Sequence, residues 1–332
     1  MWATKSNRDM NFGLPYKGSK NTLAPGIVER LPSAGTFVDL FCGGCAVTHA
    51  AMLSGRWEQY LINDICGIMP QCFLDAVHGK FRNETRWISH EEFNRLKDTD
   101  GYVRACWSFG NNGVDYLYSA ALEPYKEALH YAVFFRDFEL VRLRLPAVAD
   151  EVERRLNRLE NRKDRRIEIG RAIVSALNAI PWQERERLIE HNALYQACRR
   201  GTEDGRLQSL ESLQSLERLE SLERLERLER LERLEMSTKD YREVELPDDC
   251  IVYADPPYKG TRKYNNSVFD SEAFWEWCRR CPHPVYISEY SAPEDFIEVA
   301  AKSHTKSCAA KCSTKSIERL YCNQEPIRTT LF

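Results

Sequence analysis

No apolar run in this chain of 332 residues approaches the roughly 20 residues that a helix needs to cross a bilayer, so no membrane partner is expected. Residues Met1 to Gly13 lack the apolar stretch of a signal peptide, and no secretion signal is expected. The twelve cysteines are scattered without the spacing of a disulfide framework, which points to a reducing compartment. A strong overall charge is missing too, the formal net charge being −3. With 43% hydrophobic and 29% charged residues the composition is that of a soluble protein, long enough to bury an α/β core and a second module. Bulk properties decide nothing further.

The informative feature is local. The apolar run Ile251-Val252-Tyr253-Ala254 reads as a buried strand, and Asp255-Pro256-Pro257-Tyr258 follows it directly. A carboxylate and a backbone carbonyl can each accept one N–H of an amino group whose lone pair is delocalised into an aromatic ring. Such acceptors return the lone pair to nitrogen, and the prolines supply carbonyls at fixed φ with no competing N–H. Tyr258 adds a stacking face for a base taken out of a duplex. The tetrapeptide therefore describes a pocket for methylating a nucleobase amine, although a proline-rich turn after a strand is the plainer alternative.

Upstream, the β-prone run Thr36 to Phe41 precedes Cys42-Gly43-Gly44-Cys45 and the helix-compatible stretch Ala46 to Leu53. In a strand, glycine turn and helix, small residues let the backbone approach a ligand, and the helix N-terminus offers free N–H groups. A second strand, Tyr60-Leu61-Ile62, ends in Asn63-Asp64 about twenty residues after the turn, where dinucleotide-type folds set an acidic side chain on ribose hydroxyls. Cys42–Cys45 and Cys278–Cys281 have zinc-like spacing, but thiolates on a metal in this turn would displace the ligand, and no metal site is expected.

Tyr16-Lys17-Gly18-Ser19-Lys20, Phe41-Cys42-Gly43-Gly44 and Asp255-Pro256-Pro257-Tyr258, in that order, resemble the motifs of Dam-type (alpha-group), S-adenosylmethionine-dependent DNA adenine-N6 methyltransferases. The resemblance covers about 1–80 and 237–332. It implies a Rossmann-like α/β fold, with a seven-stranded methyltransferase sheet and a helical target-recognition insert. It further implies that Tyr16, Lys20, Asp39, Phe41, Gly43 and Asp64 line a S-adenosylmethionine site, with Asp240 near the cofactor's adenine. Asp255, shared with that site, would hold the target base together with Pro256, Pro257 and Tyr258. The implied substrate is adenine in double-stranded DNA, at a specific sequence, in the cytoplasm of a bacterium or of a phage's host. Cytosine-N4 methylation is the nearest alternative, and relatives with that activity more often begin the tetrapeptide with Ser. Cytosine-C5 methylation is disfavoured because no Pro-Cys nucleophile motif is present. RNA as substrate, or an inactive DNA-binding protein, are further alternatives. Two departures stand out: Cys45 occupies the place of the family's last turn glycine, where helical φ would need no glycine, and Ser108 to Gly113 replaces an Asn-Pro-Tyr/Phe signature.

Between the motifs, Trp107, Phe109, Tyr116, Tyr118 and Tyr125 suit either core packing or contacts with bases. From Arg154 to Arg166 seven basic residues face two acidic ones, a local charge of 7 − 2 = +5. With the apolar spacing of Val152, Leu156, Leu159, Ile167 and Ile173 to Ile180, this predicts one helix with a basic face, on which Arg155, Arg158, Arg162 and Arg166 would meet DNA phosphates. From Leu207 to Glu235 leucine recurs every third residue, ten times in twenty-nine positions. Period 3 is no heptad seam, since successive leucines drift by about 60° around a helix. A surface helix that meets a second copy through 207–235, and a tolerated spacer, are both open, with Glu223–Arg227, Glu226–Arg230 and Glu229–Arg233 as supporting pairs. The expected division is 1–80 and 237–332 for the methyltransferase domain, 81–206 for the helical insert and 207–236 for the repeat.

Overall fold

The computed structural model describes residues 11–196, 213–226, 228, 233–258, 269–307 and 313–325, the side chains of 303–307 and 313–316 excepted. Two compact units divide the chain: 1–78 with 225–332, and 79–224.

The first unit is built on seven strands: β1 Thr36–Asp39, β2 Gln59–Asn63, β3 Leu234–Ser237, β4 Cys250–Ala254, β5 Val285–Glu289, β6 Ile297–Ser307 and β7 Ser313–Cys322. Their order is β3-β2-β1-β4-β5-β7-β6. Strands β1 to β5 pair in parallel, and β7 runs antiparallel to both its neighbours. Every residue of β1 and β4 is buried. Such unbroken burial is that of parallel strands covered on both faces. This is the expected Rossmann-like methyltransferase sheet.

The strand order reverses between β1 and β4. In open α/β sheets ligands bind outside the carboxyl ends of the strands at such a switch point. Here Asp39 stands opposite Tyr253, and Leu40 donates its N–H to the Tyr253 carbonyl at 3.0 Å, so the residues leaving the two strands emerge side by side. Asn63 fastens the neighbouring ends. Its amide donates to the Leu40 and Lys239 carbonyls, both at 3.1 Å, and accepts the Lys239 N–H at 3.0 Å.

The second unit is helical among its described residues. Ser89 and Glu92 form a capping box, and Asp100 and Asn161 accept N–H groups at the starts of the helices Gly101–Trp107 and Arg162–Ala179. One core gathers Leu129, Val133, Val152, Leu156, Ile169 and Ile173. The single helix expected across Val152 to Ile180 is two, Ala149–Leu156 and Arg162–Ala179, because the Asn161 side chain caps the second start. Ile167 is outward, 41% exposed. Arg165 is buried in its stead, donating to the Val133 and Glu160 carbonyls at 2.7 Å each.

The leucine repeat departs most from expectation. Its described part forms the helix Gln214–Leu225, then supplies Leu234 and Glu235 to edge strand β3. Leu213, Leu216, Leu219 and Leu222 are at most 1% exposed, although their three 60° steps spread them over about half the circumference of the helix. An apolar stripe this wide, buried along its whole length, marks a helix packed into its unit and not one lying free on the surface. Leu213 and Leu216 belong to the helical unit's core, Ser215 shares a hydrogen bond of 3.2 Å with Tyr118, and Arg218 donates to the Ser108 carbonyl at 2.6 Å. Neither a spacer on the surface nor an association face describes these leucines, which are spent on the fold itself. Each of the three expected Glu–Arg pairs includes a residue outside the described ones.

Candidate active site

At the carboxyl end of β4, Asp255 meets Lys20. The Lys20 ammonium lies 2.6 Å from Asp255 Oδ2 and 3.0 Å from Glu318 Oε1. The Tyr258 hydroxyl donates to the same Glu318 oxygen at 2.8 Å. The Tyr258 ring stands 5.0 Å from the ammonium and edge-on to Tyr290 at 4.8 Å. Segments more than 230 residues apart in sequence thus converge on one chain of charges. Burial disfavours the Asp255 carboxylate and pushes its pKa up, against the pull of Lys20. Burial also opposes the ammonium, but the two carboxylates outweigh it and hold Lys20 above its ordinary range. Burial and the nearby carboxylates push the Tyr258 phenol up, so it stays a donor.

At the end of β1, residues Cys42 to Cys45 make a tight turn closed by the Cys45 N–H on the Cys42 carbonyl at 2.7 Å. Gly43 has φ +47°, and a Cβ there would come within 2.8 Å of Tyr16 Cε1. The Tyr16 segment is fastened across this turn by the Leu14 N–H on the Gly44 carbonyl at 2.7 Å. Asp64 accepts the Gly43 N–H at 3.0 Å and the Cys66 N–H at 2.9 Å, tying the end of β2 to the turn. Asp39 accepts from Thr48 at 2.7 Å and is otherwise buried, which raises its pKa to about 7.

Cys45 corrects the sequence reading. It is not helical but left-handed, φ +57° and ψ +32°, at the cap position of the helix Ala46–Ser54. Glycine adopts this conformation freely, whereas other residues are strained in it by about 1–2 kcal/mol. Burial pushes the Cys42 and Cys45 thiols up, which keeps them protonated. No group of three His, Cys, Asp or Glu side chains suited to a metal stands together among the described residues.

The turn and its surroundings fit a small polar cofactor. Gly43 lets the Tyr16 ring pack directly onto the turn, and two buried polar atoms, Asp39 Oδ1 and Ser237 Oγ, have no hydrogen-bond partner among the described residues. Phe41 contributes an aromatic wall with Tyr241, Phe269 and Phe274 at 5.5–5.8 Å. Asp240, beside Tyr241, caps the turn Tyr241–Glu243 and pairs with Arg242 at 2.7 Å, which holds it below the usual carboxylate range. Glu318 was not legible in the sequence: it sits alone in β7, without a motif around it.

In the helical unit, the basic segment proves largely self-neutralised. Arg155 pairs with Glu151 and Glu168, Arg162 with Glu223, and Arg166 with Glu217 and Glu220, all within 2.9 Å. Three of the four arginines expected on phosphates therefore hold helices together, two of them through the repeat's glutamates. Arg158 and Lys163 are exposed and make no ion pair among the described residues. Of the aromatics, Trp107, Tyr116 and Tyr118 are core, and Phe109 is 62% exposed.

Residues 16–142 match the model of the family described as D12 class N6 adenine-specific DNA methyltransferase. The matched part contains Tyr16, Lys20, Asp39, Phe41, Gly43 and Asp64, and it ends before Asp255. It carries methylation of DNA adenine as the activity, and methyltransferases of this class take the methyl group from S-adenosylmethionine. No curated protein matches the chain.

Proposed function

We propose that this chain is a Dam-type enzyme that methylates the N6 amine of adenine at a specific sequence in double-stranded DNA, in the cytoplasm, with the target base flipped into its pocket. The observation that carries the reading is the position of Asp255. It leaves β4 beside the glycine turn that follows β1, where the strand order reverses, with its carboxylate held by Lys20 at 2.6 Å.

S-adenosylmethionine supplies a methyl group on a sulfonium, an electrophile already activated, so that alignment is the main demand on the protein. Tyr16, Phe41, Gly43 and Asp64 would hold it at the turn, with Asp39, Ser237 and Asp240 around it. Asp255 accepts one N–H of the target amine and the Pro256 carbonyl the other, which concentrates the lone pair on nitrogen. Until the base arrives, Lys20 keeps Asp255 ionised against burial. A protonated carboxyl would present a donor where an acceptor is required. Tyr258, held through its hydroxyl by Glu318 and against Tyr290, offers the ring on which a flipped base stacks.

The test is methylation of duplex DNA by the purified chain, read by modification-sensitive sequencing. N6-methyladenine at one recurrent sequence is expected, and Asp255→Ala should abolish it while calorimetric affinity for S-adenosylmethionine stays near wild type. An Asp255→Ala variant that keeps more than about a tenth of kcat would overturn the assigned role, since loss of an acceptor acting on the reacting group costs at least that much.

A further inference from the structure

Along β7 the side chains alternate, Ile317 44% exposed, Glu318 buried, Arg319 half-buried and Leu320 2% exposed. Glu318 thus occupies an inward position, where a carboxylate is costly unless paired. It is paired twice, to the Lys20 ammonium at 3.0 Å and to the Tyr258 hydroxyl at 2.8 Å. Meanwhile Asp255 Oδ2, an oxygen suited to receive the amine of the base, is occupied by that same ammonium at 2.6 Å. For Asp255 to offer that oxygen to the base, Lys20 must let go of it. A buried ammonium left without a carboxylate would be strongly disfavoured.

Resting on the adenine methyltransferase reading, we propose that Glu318 is a positioning residue: it takes over Lys20 when Asp255 engages the target amine, and through Tyr258 it couples that exchange to arrival of the base. Lys20 then has two partners of which it can always keep one. Asp255 is freed without a net change in buried charge, and the tyrosine that meets the base shares the oxygen that receives the lysine.

The experiment compares full-length wild type, Glu318→Gln, Lys20→Met and the double variant. Thermal melts and S-adenosylmethionine calorimetry establish that each is folded. Steady-state kinetics on duplex DNA then give kcat and KM, and a duplex with 2-aminopurine at the target position reports unstacking of the base. Glu318→Gln should lower kcat roughly tenfold to a hundredfold, the effect of losing a hydrogen-bonded charge, with KM for DNA within about threefold of wild type. Its effect should shrink to about threefold or less when Lys20 is already Met, because the two act as one device. A Glu318→Gln enzyme with kcat within about twofold of wild type, or losses that multiply in the double variant, would overturn the inference while leaving the methyltransferase reading intact. Wild type that methylates no duplex would overturn both. Should Glu318→Gln fail to fold, Glu318→Asp keeps the charge on a shorter arm: lowered kcat with weakened 2-aminopurine signal supports the coupling, and unaltered values of both refute it.

Discussion

Replacing Leu216 by Ala separates an interior repeat from a decorative one. Leu216 is 1% exposed and belongs to the core that includes Leu129, Val133 and Ile173. The substitution removes three carbon atoms, worth about 2.4 kcal/mol of transfer free energy at ~0.8 kcal/mol each, and leaves a cavity, so about 2–5 kcal/mol should be lost. A surface spacer would give a change within about 0.5 kcal/mol. Urea unfolding followed by far-ultraviolet circular dichroism distinguishes these, with the exposed Arg224→Ala as a control on the same helix. A loss of ~3 kcal/mol would also lower Tm by about 6–12 °C if the helical unit melts as one domain. A midpoint unmoved by Leu216→Ala would refute the burial argument. By the same reasoning, deletion of Leu210 to Arg233 should give a protein that does not fold, since it removes an interior helix.

Gly43→Val puts a branched side chain at φ +47° and within 2.8 Å of Tyr16, so S-adenosylmethionine affinity should fall at least about tenfold by calorimetry, and unchanged affinity would displace the cofactor from this turn. Gln in place of Arg158 and Lys163 together should weaken DNA binding on all sequences alike and reduce the slope of log K against log salt by about 2, whereas a loss confined to one sequence would make these residues base readers. Arg166→Gln should instead act on stability, because its partners Glu217 and Glu220 would be left uncompensated beside the core. His130, 1% exposed, has its pKa pushed down to about 4 by burial. The unfolded chain, titrating near 6.5, then binds the extra proton, so this contribution to stability is complete above about pH 6.5 and is lost as pH falls to 4, up to ~3 kcal/mol. His130→Gln should flatten that part of the stability profile relative to wild type, and parallel profiles would contradict it. Comparison with wild type cancels Asp39, whose raised pKa of about 7 acts in the opposite sense, losing stability as pH rises from about 4 to 7.

The elements with local signatures were readable. Strand β1 is a short β-prone run that leads into a glycine turn and β4 a continuous apolar run that ends at Asp255, and a sequence motif suffices for each because the chemistry is made by adjacent residues. Glu318 could not be found this way. Its meaning lies in Lys20 and Tyr258, about 300 and 60 residues distant, and only strand pairing brings it inward. Charge counting over Arg154 to Arg166 failed for a related reason: the glutamates that neutralise Arg162 and Arg166 are more than 50 residues on, inside a segment whose monotony suggested a surface. Cys45 shows a third limit, since its left-handed backbone is decided by the turn that it closes and not by its own preference.

A repeat that is built into a core poses a problem of addressing. Sliding the helix Gln214–Leu225 by one triplet returns leucine to leucine, so the apolar face cannot tell one alignment from the next. The distinguishing marks are the irregular places, where Ser215 and Ser221 break the Leu-Glu-Arg monotone on either side of Arg218. In the observed alignment Ser215 meets the Tyr118 hydroxyl and Arg218 reaches the carbonyls of Cys106 and Ser108. One step either way would set a serine where the guanidinium belongs, and in one of the two directions an arginine would also crowd Tyr118. The imperfections of the repeat therefore act as its index, and drift toward a perfect Leu-Glu-Arg array would keep every leucine while erasing the information that says where the helix should stop sliding.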